Sequence, residues 1–393
     1  MNPFNQLFDV LFLFTHAFSF QILILVGFIK LFVISLNQQK ILEREKTSVI
    51  EIDGSQKSGS GTILRLSVAL SAILGQPLHI YNIRQNRPQP GLRPQHLEAV
   101  LTAAKLCDAE LEGAKLNSRE LWFKPREIKG GDFKAEIGTA GSIPMLLMTV
   151  LPICAFAEHT VNLHISRGGT DVMHSPTINY MRHVFLPTLK RMGLNTNLTV
   201  HRYGYYPKGM GEVAITVRPC RNLKPLRLED FGEVETIKGV SVCTFLADRR
   251  VAERQAKTAN KYLAEKGYKA DIQVVNDKSN PLQKGSSIVL WTETDTKAIL
   301  GADAIGALRK TSEAVGREAA EKLYAEISSK ATVDVHLADM LIPYVALSEG
   351  SSVYLTRALS EHLETNIWLA EKILNVKFTV ERVDELYRVK KAS

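Results

Sequence analysis

The chain has 393 residues, 45% of them hydrophobic and 23% charged, which excludes a disordered or low-complexity protein and leaves room for two domains with ample cores. Lys and Arg number 49 against 41 Asp and Glu, a net charge of +8 that favours a polyanionic partner or a membrane-proximal setting. Cys107, Cys154, Cys220 and Cys243 are far apart and form no C-x-x-C pair, so they fit buried, reduced thiols better than disulfides or a zinc site.

Residues 10–29 contain no Asp, Glu, Lys or Arg and are rich in Phe, Leu and Ile. The run is long enough to span a bilayer, and the basic residues after it (Lys30, Lys40, Arg44, Lys46) would keep the main body in the cytoplasm. It is either a membrane anchor at residues 10–29 or an upstream extension outside the mature protein. Residues 1–46 therefore stand apart from the fold.

From Thr47 a pattern recurs. Residues 49–53 predict a strand, 54–61 a Gly/Ser loop, and 62–74 a helix ended by Gly75. A second copy runs from 135–137 through Gly138-Thr139-Ala140-Gly141-Ser142 into a helix over 143–156, with Pro144 in its first turn. The third runs from 161–165 through Gly168, Gly169 and Pro176 into a helix near 178–192. The fourth begins with a strand at 352–356 and passes His362 into a helix over 367–374. A helix near 94–106 and strand pairs near 108–124 and 196–218 lie between them. Repeated strand–loop–helix units can aim several helix N-termini at one cleft, which suits a phosphate-rich ligand. The stretch 229–331 breaks the series with strands at 239–246, 271–275 and 287–293 and helices at 252–266 and 312–327, and reads as an inserted α/β domain.

His362 sits where a strand hands over to a helix, so free backbone N–H groups surround it and anions are welcome there. A neutral imidazole in that place can attack phosphorus; the alternative is a partly buried histidine that only caps the turn. Gly54 and Gly59 have P-loop spacing, but Ser60 and Gly61 stand where Lys and Ser/Thr belong, which argues against a Walker site. Arg84, Arg87 and Arg93 lie in a proline-stiffened loop whose guanidinium groups suit phosphate oxygens, and Arg65 on the first helix adds to them. His336 and Asp339 share a helix face, yet with His362 alone they are a weak basis for a metal site.

Taken together, these stretches resemble the RNA 3′-terminal phosphate cyclase family over nearly all of residues 48–385. The resemblance is carried by Ile52-Asp53-Gly54, Ile63-Leu64-Arg65, Ile83-Arg84, Arg87, Pro90-Gly91-Leu92 and Gln95-His96. It continues through Gly130-Gly131, Thr139-Ala140-Gly141-Ser142, Gly168-Gly169-Thr170-Asp171, Tyr206-Pro207-Lys208-Gly209, Leu337-Ala338-Asp339 and His362-Leu363-Glu364-Thr365-Asn366.

The resemblance implies an α/β (α+β) fold: repeated β-α units like the C-terminal domain of translation initiation factor three, with a smaller inserted thioredoxin-like domain. On that basis 47–228 and 332–385 form the catalytic repeat domain, 229–331 the insertion and 386–393 a tail. It implies a ligase that uses ATP to turn an RNA 3′-terminal phosphate into a 2′,3′-cyclic phosphate. His362 is then the catalytic nucleophile and carries AMP. Met148, Pro176, His336, Leu337, Ala338, Asp339 and Met340 occupy nucleotide-binding positions. Arg65, Arg84, Arg87, Gln95 and His96 occupy positions that bind phosphate or RNA. A divalent metal, Mg²⁺ or Mn²⁺, would offset the triphosphate charge, with no seat for it identified. The departures cluster at the nucleotide: Ser58 stands where the family carries Glu, Met148 where it carries Gln, and His336 and Met340 where it carries Tyr and Gln. Met210 replaces a glycine and Asn179 an Asp. Ser58, Met148, His336 and Met340 favour a second reading, a non-catalytic cyclase-like RNA-binding protein acting in ribosomal RNA processing, while the retained His362 and the Thr-Ala-Gly-Ser loop oppose it.

Overall fold

The computed structural model describes residues 48–392. The anchor or extension expected at 1–46 lies outside the described residues, and among those described no helix is long and apolar enough to cross a membrane.

The first sheet is built from β1 (Ile50–Asp53), β2 (Leu78–Tyr81), β3 (Glu110–Glu112) and β4 (Leu121–Lys124), in the order β1-β2-β4-β3. Helix α1 (Gly61–Leu74) is the crossover between the parallel strands β1 and β2, and α2 (Pro94–Cys107) leads from β2 to β3. Ser60 starts α1 by accepting from the Thr62 N–H, and Gly75 ends it at φ 66°, a left-handed conformation that glycine adopts without strain.

The second sheet holds β5 (Gly131–Glu136), β6 (Val161–Gly168), β7 (Asn195–Arg202) and β8 (Gly211–Arg218), ordered β5-β6-β8-β7. Its helices are α3 (Ile143–Ala155) and α4, a continuous helical stretch over 178–191 with a π-helical turn at Met181–Phe185. The third sheet starts with β9 (Arg227–Leu228), a two-residue strand that pairs in parallel with a strand far along the chain.

Between those partners come β10 (Val234–Thr244), α5 (Val251–Glu265), β11 (Ala270–Asp277), β12 (Gly285–Thr294), β13 (Ile299–Ile305) and α6 (Ser312–Ser329). These four strands form their own sheet, ordered β11-β10-β12-β13. With α5 and α6 it encloses a separate apolar cluster that includes Ile237, Leu263, Ile288, Leu290 and Leu323. Short helices α7 (Val335–Met340) and α8 (Ile342–Leu347) then lead to β14 (Ser352–Thr356), α9 (Glu361–Leu374), β15 (Phe378–Val383) and β16 (Leu386–Lys391). The third sheet is ordered β15-β16-β14-β9.

These three sheets share one plan: the first pair of strands is parallel, the fourth strand pairs antiparallel with the second, and the third lies at the edge. The second and third strand–loop–helix copies expected from sequence both belong to the second sheet, because β5 and β6 pair with each other. Residues 386–391, read from sequence as part of a tail, form β16 between β14 and β15. Its charged residues disguise it. Lys391 is buried with its ammonium donating to the carbonyls of Ser348 and Gly350, 2.9 Å each, while its stem is sheltered from water.

A buried carboxylate fastens α7 to α4 and β13. Asp334 accepts from Tyr180 Oη (2.7 and 2.9 Å), from the Gly301 N–H (2.9 Å), and from the His336 (3.0 Å) and Leu337 (2.9 Å) N–H groups that open α7. Removing it strands several buried donors at once, each at a cost of about 1–3 kcal/mol. Asp334→Ala is therefore expected to lower unfolding free energy by about 3 kcal/mol or more in urea titration, against about 1 kcal/mol for Tyr180→Phe.

Candidate active site

Two helix N-termini meet at His362. Ser60 and Ser360 cap them: the Ser60 hydroxyl accepts from the Thr62 N–H at 3.3 Å, and the Ser360 hydroxyl from the Leu363 N–H at 3.0 Å. The Gly/Ser loop before α1 is tied to α9 because the Ser58 N–H donates to Thr365 Oγ1 at 3.3 Å. Asn366 donates to the Asp339 carbonyl at 2.9 Å, which fixes α9 against α7. Gly61 is required at the start of α1, since a Cβ there would come within 2.3 Å of His96 Nε2 and 2.9 Å of Arg65 Nη1.

The imidazole is held through its Nδ1, 3.2 Å from Thr62 Oγ1. Arg65, one helical turn further along α1, donates from Nη2 to the same oxygen at 3.1 Å. Among the described residues nothing hydrogen-bonds to His362 Nε2.

His362 opens on a cavity of about 480 Å³, within the size range of small-molecule sites. Thr62, Arg65, His336, Asp339 and Asn366 share its lining; Met145, Met148, Pro176 and Met340 form an apolar part. Another wall comes from the inserted segment, where Asp303, Lys310, Glu318 and Lys322 face the same space. Glu318 pairs there with Lys310 and with Lys322, the latter at 2.7 Å.

Electrostatically the site is prepared for an anion. Burial lowers the His362 pKa below its ordinary 6.5, and the nearby Arg65 and Arg87 push it the same way, so the ring is neutral at pH 7. Burial also lowers Arg65 to about 10, with Arg84 contributing and Asp339 opposing. Asp339 is pushed up to about 7 by burial, while Ser360 and Arg65 pull the other way. A neutral nucleophile among arginines is an arrangement suited to attack on a phosphate centre.

The RNA 3′-terminal phosphate cyclase family model matches residues 56–380, which takes in His362 and every residue named at the cavity. The chain belongs to the RNA 3′-terminal phosphate cyclase family. Its curated relatives agree along almost their whole length. The RNA 3′-terminal phosphate cyclase of Pyrobaculum neutrophilum is 45% identical over 86% of this chain and 96% of its own. That of Pyrococcus furiosus is 44% identical over 88% of this chain and 100% of its own, and that of Methanopyrus kandleri 43% over 85% and 95%. Among solved structures, the EPSP synthase from Acinetobacter baumannii overlays with a TM-score of 0.27 at 12% identity, covering 88% of this chain and 66% of that one, too little to carry an argument.

Of the positions implied by the cyclase resemblance, the cavity lining brings together His362, Arg65, Met148, Pro176, His336, Asp339 and Met340. Leu337 and Ala338 are fully buried and do not line it; their side chains belong to the core under α7. Arg84 turns back on its own loop, donating to the carbonyls of Gln89 (2.6 Å) and Gly91 (2.9 Å). Gln95 braces the neighbouring Thr-Ala-Gly-Ser loop by accepting from the Ser142 N–H at 2.8 Å. His96 is buried beside Arg65, Arg84 and Arg93, and burial with these cations holds its pKa well below 6.5. Sequence reasoning missed Thr62, Asn366 and the inserted-segment wall. Thr62 had one local signal, its place three residues before Arg65 on the same helix face; the wall residues had none.

The electrostatics set a sign that can be checked. In an NMR titration, the His362 midpoint is expected below 6.5, so the neutral ring is retained below neutrality and lost as pH falls through that lowered value. Arg65→Gln removes a neighbouring cation and is expected to move the midpoint upward.

Proposed function

We propose that this chain uses ATP to convert an RNA 3′-terminal phosphate into a 2′,3′-cyclic phosphate, through a covalent intermediate with AMP on His362. The observation that carries the reading is a neutral imidazole with a free Nε2, opening on the cavity beside Arg65, in a chain of the cyclase family. An imidazole nitrogen attacks the α-phosphorus, the α–β phosphoanhydride bond breaks, and pyrophosphate leaves with the electron pair. Arg65 and Arg87, with the unpaired N–H groups at the start of α9, oppose the negative charge that builds on the phosphoryl oxygens. AMP then passes to a terminal phosphate oxygen of the RNA. The neighbouring 2′-hydroxyl closes the ring on phosphorus and expels AMP.

In this reading adenosine lies along Met148, Pro176 and Met340, with His336 and Asp339 as its polar neighbours. The excess of basic residues draws the RNA backbone in without reading sequence. Residues 47–228 and 332–385 are repeats like the C-terminal domain of translation initiation factor three, the last of them carried on to Lys391 by β16, and 229–331 is a thioredoxin-like insertion. Ser58 occupies the position where the family carries Glu and no group of three or more His, Cys, Asp or Glu gathers among the described residues, so a divalent metal would be held chiefly by the triphosphate itself.

A binding role without catalysis draws its support from Met148 and Met340, thioethers at the cavity where hydrogen-bonding side chains would grip a base. One experiment separates the two. The full chain is incubated with ATP labelled at the α-phosphate, denatured, and tested for acid-labile protein-bound label, then given RNA ending in a 3′-phosphate. Label on the wild type, none on His362→Ala, and a cyclic RNA product are expected; RNA binding with no label on either protein would sink the enzymatic reading. Met148→Gln is expected to tighten nucleotide binding about fivefold by titration calorimetry, the equivalent of one added hydrogen bond at about 1 kcal/mol.

A further inference from the structure

We infer that Thr62 is a positioning residue for His362: its oxygen takes the Nδ1–H of the ring and so leaves the Nε2 lone pair for phosphorus. The inference rests on the reading of His362 as nucleophile and adds a residue to it. A neutral imidazole carries one proton on one of two nitrogens, and only the bare nitrogen is nucleophilic. In this chain Nδ1 faces Thr62 Oγ1 at 3.2 Å, Thr62 and His362 both line the cavity, and Nε2 has no partner among the described residues. Which nitrogen carries the proton therefore decides whether the ring can react into the cavity.

The hydroxyl's own inventory leaves room for the assignment. Arg65 has only donors, and its Nη2 reaches Thr62 Oγ1 at 3.1 Å, so it occupies one of the two lone pairs. The other lone pair can accept Nδ1–H, with the hydroxyl proton turned toward the cavity that Thr62 lines. The hydroxyl is not needed to cap α1, because Ser60 already accepts from the Thr62 N–H. Its hydrogen-bond partners are the guanidinium and the ring, and both belong to the site.

The covalent step sharpens the requirement. When the Nε2 lone pair forms the N–P bond, the α–β P–O bond breaks and its electrons depart on pyrophosphate. The ring keeps its proton on Nδ1 and becomes an imidazolium. That N–H must then donate, and Thr62 Oγ1 is the acceptor already in place. Arg65 makes the same arrangement selective against a resting imidazolium, since its charge disfavours a second proton on the ring before the reaction.

The test reads the ring directly and then the reaction. In the ¹⁵N spectrum of the full-length protein at pH 7.5, with the His362 signals assigned by their loss in His362→Gln, the proton is expected on Nδ1 and Nε2 is expected bare. Thr62→Val keeps the shape and removes the oxygen; it is expected to move the proton toward Nε2. The single-turnover rate of label transfer from ATP should fall by at least about tenfold, while ATP affinity changes by less than about twofold, because the loss concerns orientation and not binding. Thr62→Ser restores the oxygen and is expected to recover both the tautomer and most of the rate. A wild-type ring protonated mainly on Nε2, or a Thr62→Val protein that forms the adduct at the wild-type rate, overturns the inference. Absence of label on wild type would instead overturn the nucleophile reading, and the ring spectrum would still decide whether Thr62 fixes the proton. Should Thr62→Val fail to fold, the wild-type spectrum and Thr62→Ser carry the decision.

Discussion

A carboxylate taken out of water must be given donors, and Asp334 finds them on three separate parts of the chain. Tyr180 comes from α4, Gly301 from the inserted sheet and the remaining N–H groups from the start of α7. None of these segments can move far without stranding a buried polar group. The cavity lies among the elements so joined: α7 supplies His336, Asp339 and Met340, and β13 with the loop after it supplies Asp303 and Lys310. The register of α7 also decides which of its side chains face the ligand and which, like Leu337 and Ala338, fill the core.

Around this frame the charges are arranged at some cost to the empty protein. Arg65 is half-buried with no carboxylate hydrogen-bonded to it among the described residues, and its main electrostatic support is Asp339, itself held partly neutral by burial. Burying a cation without a tight partner is unfavourable, and the imbalance is relieved when a polyanion enters. The lowered His362 pKa has the same origin, because the burial and cations that keep the ring neutral also make the place attractive to phosphate. The neutral ring and the anion-attracting field are thus one electrostatic feature.

How much of this could be read from sequence depended on distance along the chain. Glycine-loop-to-helix transitions are local, and the helices at Gly61–Leu74, Pro94–Cys107 and Ile143–Ala155 fall close to where spacing and caps put them. His362 at the start of a helix was legible for the same reason: Ser360 before it and the apolar run after it are neighbours in sequence. The Thr62–His362 contact spans 300 positions and left no local trace. Neither did the grouping of strands into sheets, which β5 and β6 settle by pairing with each other. Arg84 shows another limit, since a phosphate-like loop of arginines looks the same in sequence whether its guanidinium reaches outward or folds back on Gln89 and Gly91. At β16 charge hid a strand whose lysine is buried and satisfied by carbonyls.

The inserted segment's private apolar core carries a consequence for motion. Because α5, α6 and their sheet bury side chains such as Leu263, Leu290 and Leu323 among themselves, that body has cohesion of its own. Packing units with separate cores tend to open as separate cooperative units, at lower cost than global unfolding. Yet Gly301 on Asp334, Thr177 on Asp303, and Val240, Val289 and Ile299 in the main core tie it down, so Lys310, Glu318 and Lys322 keep their place opposite His362 until those contacts part.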